Sequence, residues 1–343
     1  MTHDTSFIQS VDAFIADWKS DRPTMTVHTS GSTGTPKAIE VGKAHMAASA
    51  QMTCEFLRLR PGQSALLCLP VEYIAGKMVI VRALTCGLRL LPVEPSSHPL
   101  SGLEKSPDFA AFVPSQVYET LRIPEEARCF EGIRQTLIGG GAIAPDLQER
   151  LHELPNPVWS TYGMTETLSH IALRRLNGPE ASDWYTPLPG VEVGLNESDC
   201  LTVYAPRVNP SRLTTHDLAE LRPDGRFRII GRSDNTVNSG GVKIQLEDVE
   251  AALRLRLARP FMATSVPDEK YGEVLVLLIE GSPLDEGTLN SLCAKCLSAY
   301  HRPKHYFFID RLPVTVSGKP ARKEARTIAR KMVDGSSEVR SSR

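Results

Sequence analysis

Thr29-Ser30-Gly31-Ser32-Thr33-Gly34-Thr35-Pro36-Lys37 gathers glycines, hydroxyls and a lysine into one short stretch, the residue types that hold a nucleotide's phosphates. Glycine lets backbone N–H groups approach an anion, hydroxyls add donors, and lysine adds a compact positive charge. The order is not G-x-x-x-x-G-K-[ST], so the usual P-loop fold is a poor fit. A polar, glycine-rich linker is the other reading of this stretch taken alone. Upstream, Phe7, Ile8, Val11, Phe14, Ile15 and Trp18 fall on one face of a helix that Arg22-Pro23 ends, and a short strand then leads into the loop. Downstream, Pro36 fixes the exit and His45 to Leu57 reads as a helix.

Strand-like runs follow at SALLCLP, LRLLPVE, FAAFVPS, RQTLIGGG and PVWSTYG, alternating with helical stretches. That is the pattern of an α/β domain with crossovers. Gly139, Gly140 and Gly141 end one of these strands, where an open α/β sheet usually places its ligand. From Asp217 to Ile230 the texture changes to turns and short strands. A helix over 246–257, a strand over 261–266, the apolar run VLVLLIE and a helix over 289–299 then read as a separate α+β unit. The expected organisation is a large α/β domain over 1–233 and a smaller, mobile one over 234–343, joined near Asp234. The tail SSEVRSSR reads as disordered.

With 343 residues, two domains and a sizeable core are expected. The net charge of −1 and pI near 6.8 offer no global field for nucleic acid or an anionic membrane. The seven cysteines lack paired C-x-x-C spacing, so reduced thiols are expected, with Cys293 and Cys296 as helix positions. No leader-like segment opens the chain, and every apolar run is broken by charge short of a membrane span. A cytoplasmic protein is the resulting expectation, with homo-oligomerisation left open.

Four further segments join the opening loop: YGMTET at 162–167, TTHD at 214–217, GRSDNTVNSGGVKI at 231–244 and PVTVSGKPAR at 313–322. In this order and spacing they resemble the signature motifs of the adenylate-forming superfamily of acyl-CoA synthetases, luciferases and peptide-synthetase adenylation domains. The resemblance spans roughly Thr24 to Lys323.

It implies ATP, Mg2+ and CoA as reactants and cofactor, with a role for each matching position. The loop carrying Thr29, Ser30, Gly31, Ser32, Thr33, Gly34 and Lys37 would cover the β- and γ-phosphates. Tyr162, followed by Gly163, would stack on adenine, with Gly139 to Gly141 lying against the ring. Thr165 would bind a phosphate oxygen and Glu166 the magnesium ion. Asp217 would accept hydrogen bonds from the ribose hydroxyls, although His216 stands where the family usually has glycine, and Arg232 would also contact the ribose. Lys319 would be the catalytic lysine, Asp234 the hinge, and Gly240 and Gly241 the lining of the pantetheine tunnel. Taken singly, Tyr-Gly-Met is also an ordinary turn, Thr-Glu a helix cap, and Ser-Gly-Lys a surface loop.

Within the superfamily, LPVEYIAGKMVIVRALTCG, AFVPSQV, LIGGGAIAP and YGMTETLSHIA most resemble the o-succinylbenzoate-activating branch of menaquinone biosynthesis. That acid is an aromatic dicarboxylate whose succinyl carboxylate is activated, so the spectator aryl carboxylate needs a cation or fixed donors. Arg82 and Lys77 are the first candidates, with Ser115, Gln116, Ser169 and His170 as further pocket residues; ordinary core hydrogen bonding or surface snorkelling is the alternative for each. Tyr73 departs from the histidine common before the I-x-G turn. The segment that usually precedes the phosphate loop is not found ahead of it, so a shortened large domain, covered in part by a partner subunit, is expected. Other aryl- or acyl-CoA ligases, a carrier-protein adenylation domain, and a silent adenylate-binding assembly protein stay open as alternatives.

Overall fold

A computed structural model describes residues 4–28, 38–315 and 320–341. Helix α1 (Asp4–Lys19) buries Phe7, Val11 and Phe14 at helical spacing, as its pattern requires. Strands β1 (Thr24–His28) and β2 (Ala38–Gly42) then pair antiparallel, from Thr24↔Gly42 to His28↔Ala38. The ladder brings together the two ends of Thr29–Lys37, a stretch that lies outside the described residues. Sequence alone places a helix over His45 to Leu57 and no strand between it and the loop; β2 intervenes because its pairing with β1 leaves little local signal. Helix α2 (Lys43–Leu57) follows.

Next come β3 (Ser64–Leu67), α3 (Ile74–Cys86), β4 (Arg89–Pro92), β5 (Phe109–Phe112), α4 (Pro114–Thr120), α5 (Pro124–Glu131), β6 (Gln135–Ile138), α6 (Pro145–His152) and β7 (Val158–Gly163). The expected alternation is present. A seven-stranded sheet runs β4-β3-β5-β6-β7 in parallel and is completed by antiparallel β8 (His170–Arg175) and β9 (Thr186–Pro187). Helices cover both faces. Ala65, Leu67 and Phe109 pack with Met46, Met78 and Ile80 on one face, and Leu66, Ala110 and Phe112 with Phe130 and Leu147 on the other, which follows from the period-two alternation of a strand.

Strands β10 (Glu192–Leu195), β11 (Cys200–Ala205), β12 (Asn209–Leu221) and β13 (Phe227–Arg232) form an antiparallel sheet in chain order. The β10–β11 hairpin escapes the sequence reading, although the alternation on either side of Asn196-Glu197-Ser198-Asp199 is a hairpin signal. After a 3-10 turn at Ser233–Asn235 come β14 (Thr236–Ser239), β15 (Val242–Gln245), α7 (Leu246–Arg254), β16 (Phe261–Asp268), β17 (Gly272–Glu280), α8 (Glu286–Cys296), β18 (His305–Ile309) and α9 (Arg322–Ser341). On β17, Leu275, Leu277 and Ile279 pack with α7 and α8, whereas Val274, Val276 and Leu278 pack with Ala325 and Ala329 of α9. The cores before Ile229 and after Val237 share no residue, so the chain has a large N-terminal α/β domain and a smaller C-terminal one.

Two expectations are corrected. The tail is not wholly disordered: α9 continues through Ser336–Ser341, because extending a helix already nucleated by the packed Ala325 and Ala329 costs less than starting one. The thiols are not all free either. Cys54 on α2 is disulfide-bonded to Cys86 on α3, which leaves Cys68, Cys129, Cys200, Cys293 and Cys296 as free thiols. The paired cysteines are 32 residues apart, a separation that carries no motif, and only the side-by-side packing of α2 and α3 brings them together. Among the described residues, no helix is long and apolar enough to cross a membrane.

Thiol titration of the denatured, unreduced protein is therefore expected to count five reactive cysteines, rising to seven after reduction. Reduction should lower unfolding stability by about 2–4 kcal/mol. Seven free thiols before reduction would remove the crosslink from the native fold.

Candidate active site

The ends of β5, β6 and β7 carry the residues singled out from the sequence, at the carboxyl edge of the parallel sheet. Strands pack too closely here for side chains at two glycines. A Cβ on Gly139 would lie 2.3 Å from Thr161 Oγ1, and one on Gly163 would lie 2.3 Å from the Ser169 carbonyl oxygen. Tyr162, on β7, therefore emerges beside β8 with its ring edge-on to Phe227 at 5.2 Å. Its hydroxyl donates to Asp217 Oδ2 at 2.6 Å, and burial first, then the Asp217 charge, push its pKa upward.

Asp217 and Arg232 are register partners across β12 and β13. Arg232 Nη1 donates to Asp217 Oδ1 at 2.9 Å, while Nε and Nη2 grip both carboxylate oxygens of Asp234 at 2.8 and 2.9 Å. This fork holds the Asp234 carboxyl below the usual range and raises the Arg232 pKa. The structure thus brings Tyr162, Asp217, Arg232 and Asp234 into one network. His216 stays at its margin, where Ser233 Oγ donates to its carbonyl oxygen. Thr165 and Glu166 sit on the 3-10 turn Thr165–Thr167, with the exposed Glu166 carboxylate in no ion pair with a described residue.

Across the sheet, Arg82 of α3 is only 2% exposed. Its Nη2 donates to Ser169 Oγ, its Nε has no partner, and burial lowers its pKa to about 10. No carboxylate among the described residues pairs with it. Ser169 also meets His170 Nδ1 at 3.2 Å, and His170 Nε2 meets Thr53 Oγ1 on α2 at 3.0 Å. Thr53 escapes sequence reading altogether, since 117 residues separate it from His170.

Other candidates fall elsewhere. Lys77 donates to the Thr26 carbonyl on β1 at 3.2 Å and has no contact with the Arg82 cluster; burial lowers its pKa, opposed by Glu72 and Asp17. Gln116 is spent internally on the Cys68 and Ser96 carbonyls and the Val113 N–H. Ser115 and Tyr73 are exposed, Tyr73 at the start of α3. Gly240 and Gly241 form the two-residue turn between β14 and β15, with φ of +59° and +85°; a turn with both φ positive suits glycine for reasons of its own. Thr29, Ser30, Gly31, Ser32, Thr33, Gly34, Lys37 and Lys319 lie outside the described residues. Val314 and Pro320, on either side of the undescribed 316–319, form an antiparallel bridge.

Models of known families agree with this layout. The AMP-binding enzyme model matches residues 4–203, and the AMP-binding enzyme C-terminal domain matches 261–319. The chain is 27% identical over 329 residues to the 2-succinylbenzoate--CoA ligase of Lactococcus lactis, covering 90% of this chain and 72% of that protein. It spans 61% of the length of the 2-succinylbenzoate--CoA ligase of Salmonella typhimurium, to which it is 29% identical over 288 residues. Among solved structures it resembles the acyl-CoA synthetase (AMP-forming)/AMP-acid ligase II-like protein of Dyadobacter fermentans, with 38% identity, a TM-score of 0.65 and 93% of each chain covered. It also resembles the o-succinylbenzoate CoA synthetase of Bacillus subtilis in complex with the acyl-adenylate intermediate, with 25% identity, a TM-score of 0.74, and 88% of this chain and 68% of that one covered. With one family model matching more than half of its residues and the companion C-terminal model following in order, this chain belongs to the AMP-binding enzyme family.

Proposed function

We propose that this chain is an AMP-forming acid–CoA ligase that activates o-succinylbenzoate, an activity that serves menaquinone biosynthesis. The acid would first become an acyl-adenylate with release of pyrophosphate, then a CoA thioester with release of AMP. The observation that carries the choice of acid is Arg82, a buried guanidinium with an unpartnered Nε and no carboxylate beside it. An uncompensated buried charge costs several kcal/mol, so the site is complete only when an anion enters it. The carboxylate being activated is consumed by the reaction, and a second carboxylate must therefore supply that anion. The aryl carboxylate of o-succinylbenzoate meets this need, and the names of the relatives support the same acid.

Residues of the chain divide the remaining work. Asp217 already accepts hydrogen bonds from Tyr162 and Arg232, and its other lone pairs would receive the ribose hydroxyls while Tyr162 lies along the adenine. Thr165 would donate to a phosphate oxygen. Glu166, an exposed carboxylate free of ion pairs among the described residues, fits a hard oxygen-seeking cation; Mg2+ bound there would neutralise phosphate charge. Lys319 would reach the α-phosphate as its charge builds. Asp234 would act as the boundary and hinge between the two domains, with the Arg232 fork linking it to Asp217, and Gly240-Gly241 would line the path of the CoA arm.

AMP release that requires ATP, CoA and o-succinylbenzoate together, and exceeds that with other acids, tests the reading; equal turnover of simple monocarboxylates would overturn the choice of acid. Lys319→Ala should abolish adenylate formation, with a loss of about 3 kcal/mol or more of transition-state stabilisation, and spare thioester formation from a supplied adenylate. Equal damage to both half reactions would contradict its role. Asp234→Pro, which locks a backbone dihedral, should leave pyrophosphate exchange intact and slow CoA turnover, whereas Asp234→Asn should retain both; normal CoA turnover in the proline variant would exclude a hinge at this position. Arg82→Ala should raise KM for o-succinylbenzoate about ten- to a hundredfold, for a lost contact of roughly 1.5–3 kcal/mol, with kcat and KM for ATP nearly unchanged. An analogue lacking the aryl carboxylate should be used equally by mutant and wild type.

A further inference from the structure

Behind Arg82 runs a chain of hydrogen bonds, half-buried at Ser169 and buried at His170 and Thr53, whose direction follows from counting protons. Arg82 Nη2 donates to Ser169 Oγ, Ser169 Oγ lies 3.2 Å from His170 Nδ1, His170 Nε2 lies 3.0 Å from Thr53 Oγ1, and Thr53 Oγ1 lies 3.1 Å from the Ser49 carbonyl oxygen. Thr53 is 0% and His170 7% exposed. Burial first, and then the Arg82 charge, hold His170 far below its usual pKa, so the ring is neutral, with one N–H and one lone pair.

Two arrangements satisfy that count. With the proton on Nδ1, the ring would donate to Ser169, which already accepts from Arg82, and the Ser169 proton would have no acceptor among the described residues. With the proton on Nε2, the ring donates to Thr53, Thr53 donates to the Ser49 carbonyl, and Ser169 donates to Nδ1. Every proton in the chain then has an acceptor. The second arrangement is the one in which no donor of this chain lacks a protein acceptor, and it agrees with the Thr53 hydroxyl donating to the Ser49 carbonyl inside the buried part of the chain, whereas the first leaves the half-buried Ser169 hydroxyl without one. The backbone adds its own constraint: Leu168, immediately before Ser169, is a buried non-glycine residue at φ +63°, a conformation that persists only where its surroundings over-determine it.

We propose that His170 and Thr53 are positioning residues for the acid pocket: the Nε2–H tautomer, fixed by Thr53, directs the Ser169 hydroxyl onto Nδ1, so that Ser169 anchors Arg82 purely as an acceptor and leaves Arg82 Nε to face the anion. This rests on Arg82 as the partner of the spectator carboxylate. His170 does not touch the acid; both of its ring nitrogens are engaged, and it acts through Ser169.

Nitrogen resonances of the 15N-labelled full chain without substrate test the relay directly. His170 is expected to show a protonated Nε2 and a lone pair on Nδ1 throughout the neutral pH range, and a protonated Nδ1 would overturn the assignment. The Arg82 Nε–H resonance should exchange slowly in wild type and in His170→Asn, whose carboxamide oxygen still accepts from Ser169, and quickly in His170→Leu. Equal protection in the two variants would sink the proposal. In turnover, His170→Leu should raise KM for o-succinylbenzoate about three- to tenfold at unchanged kcat and KM for ATP, with His170→Asn near wild type. Should His170→Leu fail to fold, Thr53→Val removes the acceptor of Nε2–H at nearly constant volume and is expected to loosen the same Arg82 resonance; no change there overturns the role of Thr53. If wild type does not use the acid, the functional reading fails, while the resonances of the substrate-free protein still decide whether the relay exists.

Discussion

A guanidinium buried among helices and strands, with no acid among the described residues to neutralise it, is the constraint on which the candidate acid pocket depends. Arg82 projects from α3 into the side of the β7–β8 turn, and its only described acceptor is a hydroxyl that is itself tied to a buried imidazole. Charges are taken out of water at a cost of several kcal/mol, and this unmet cost is what the proposed pairing with a substrate carboxylate would offset. The packing that makes this site is long-range: α2 supplies Thr53, α3 supplies Arg82, and the start of β8 supplies His170. A disulfide from Cys54, next to Thr53, to Cys86, one helical turn beyond Arg82, holds these two helices together.

The other polar centre gathers around Arg232, next to the proposed domain boundary at Asp234. Arg232 is shared between Asp217, on the neighbouring strand β12, and Asp234, in the 3-10 turn Ser233–Asn235. One guanidinium fork therefore couples the residue expected to read a ribose with the residue expected to rotate. The hydrophobic cores on either side of this network have no residue in common.

Much of this was legible beforehand for identifiable reasons. The parallel strands are short apolar runs set off by Gly, Pro and crossover helices, a pattern that local sequence carries in full, and the five motifs appear in the order in which the fold uses them. Tyr162, Asp217 and Arg232, picked out by separate motifs, lie in one hydrogen-bonded network, although 55 residues separate the first pair. Strand β2 left little local signal, since short antiparallel strands owe much of their existence to partners, whereas the β10–β11 hairpin carried its alternation around Asn196–Asp199 and went unread. Of the two cations considered for the acid pocket, Lys77 and Arg82 lie on one helix five positions apart, which turns them to different sides of it; Lys77 reaches β1 and Arg82 reaches Ser169.

Sequence by itself determined the fold class, the order of the domains and the chemistry of the motifs, because these depend on periodicity and on residue types at fixed local spacing. Tertiary structure alone decided which of the candidate side chains are spent on the fold and which are left with an unmet donor. Gln116 and the Gly240-Gly241 turn are accounted for by backbone contacts, the Arg82 Nε is not, and the Thr53–His170 contact joins two helical and strand segments with no common motif. The reason is physical: satisfaction of a buried polar group depends on where distant parts of the chain come to rest, and no local pattern encodes that.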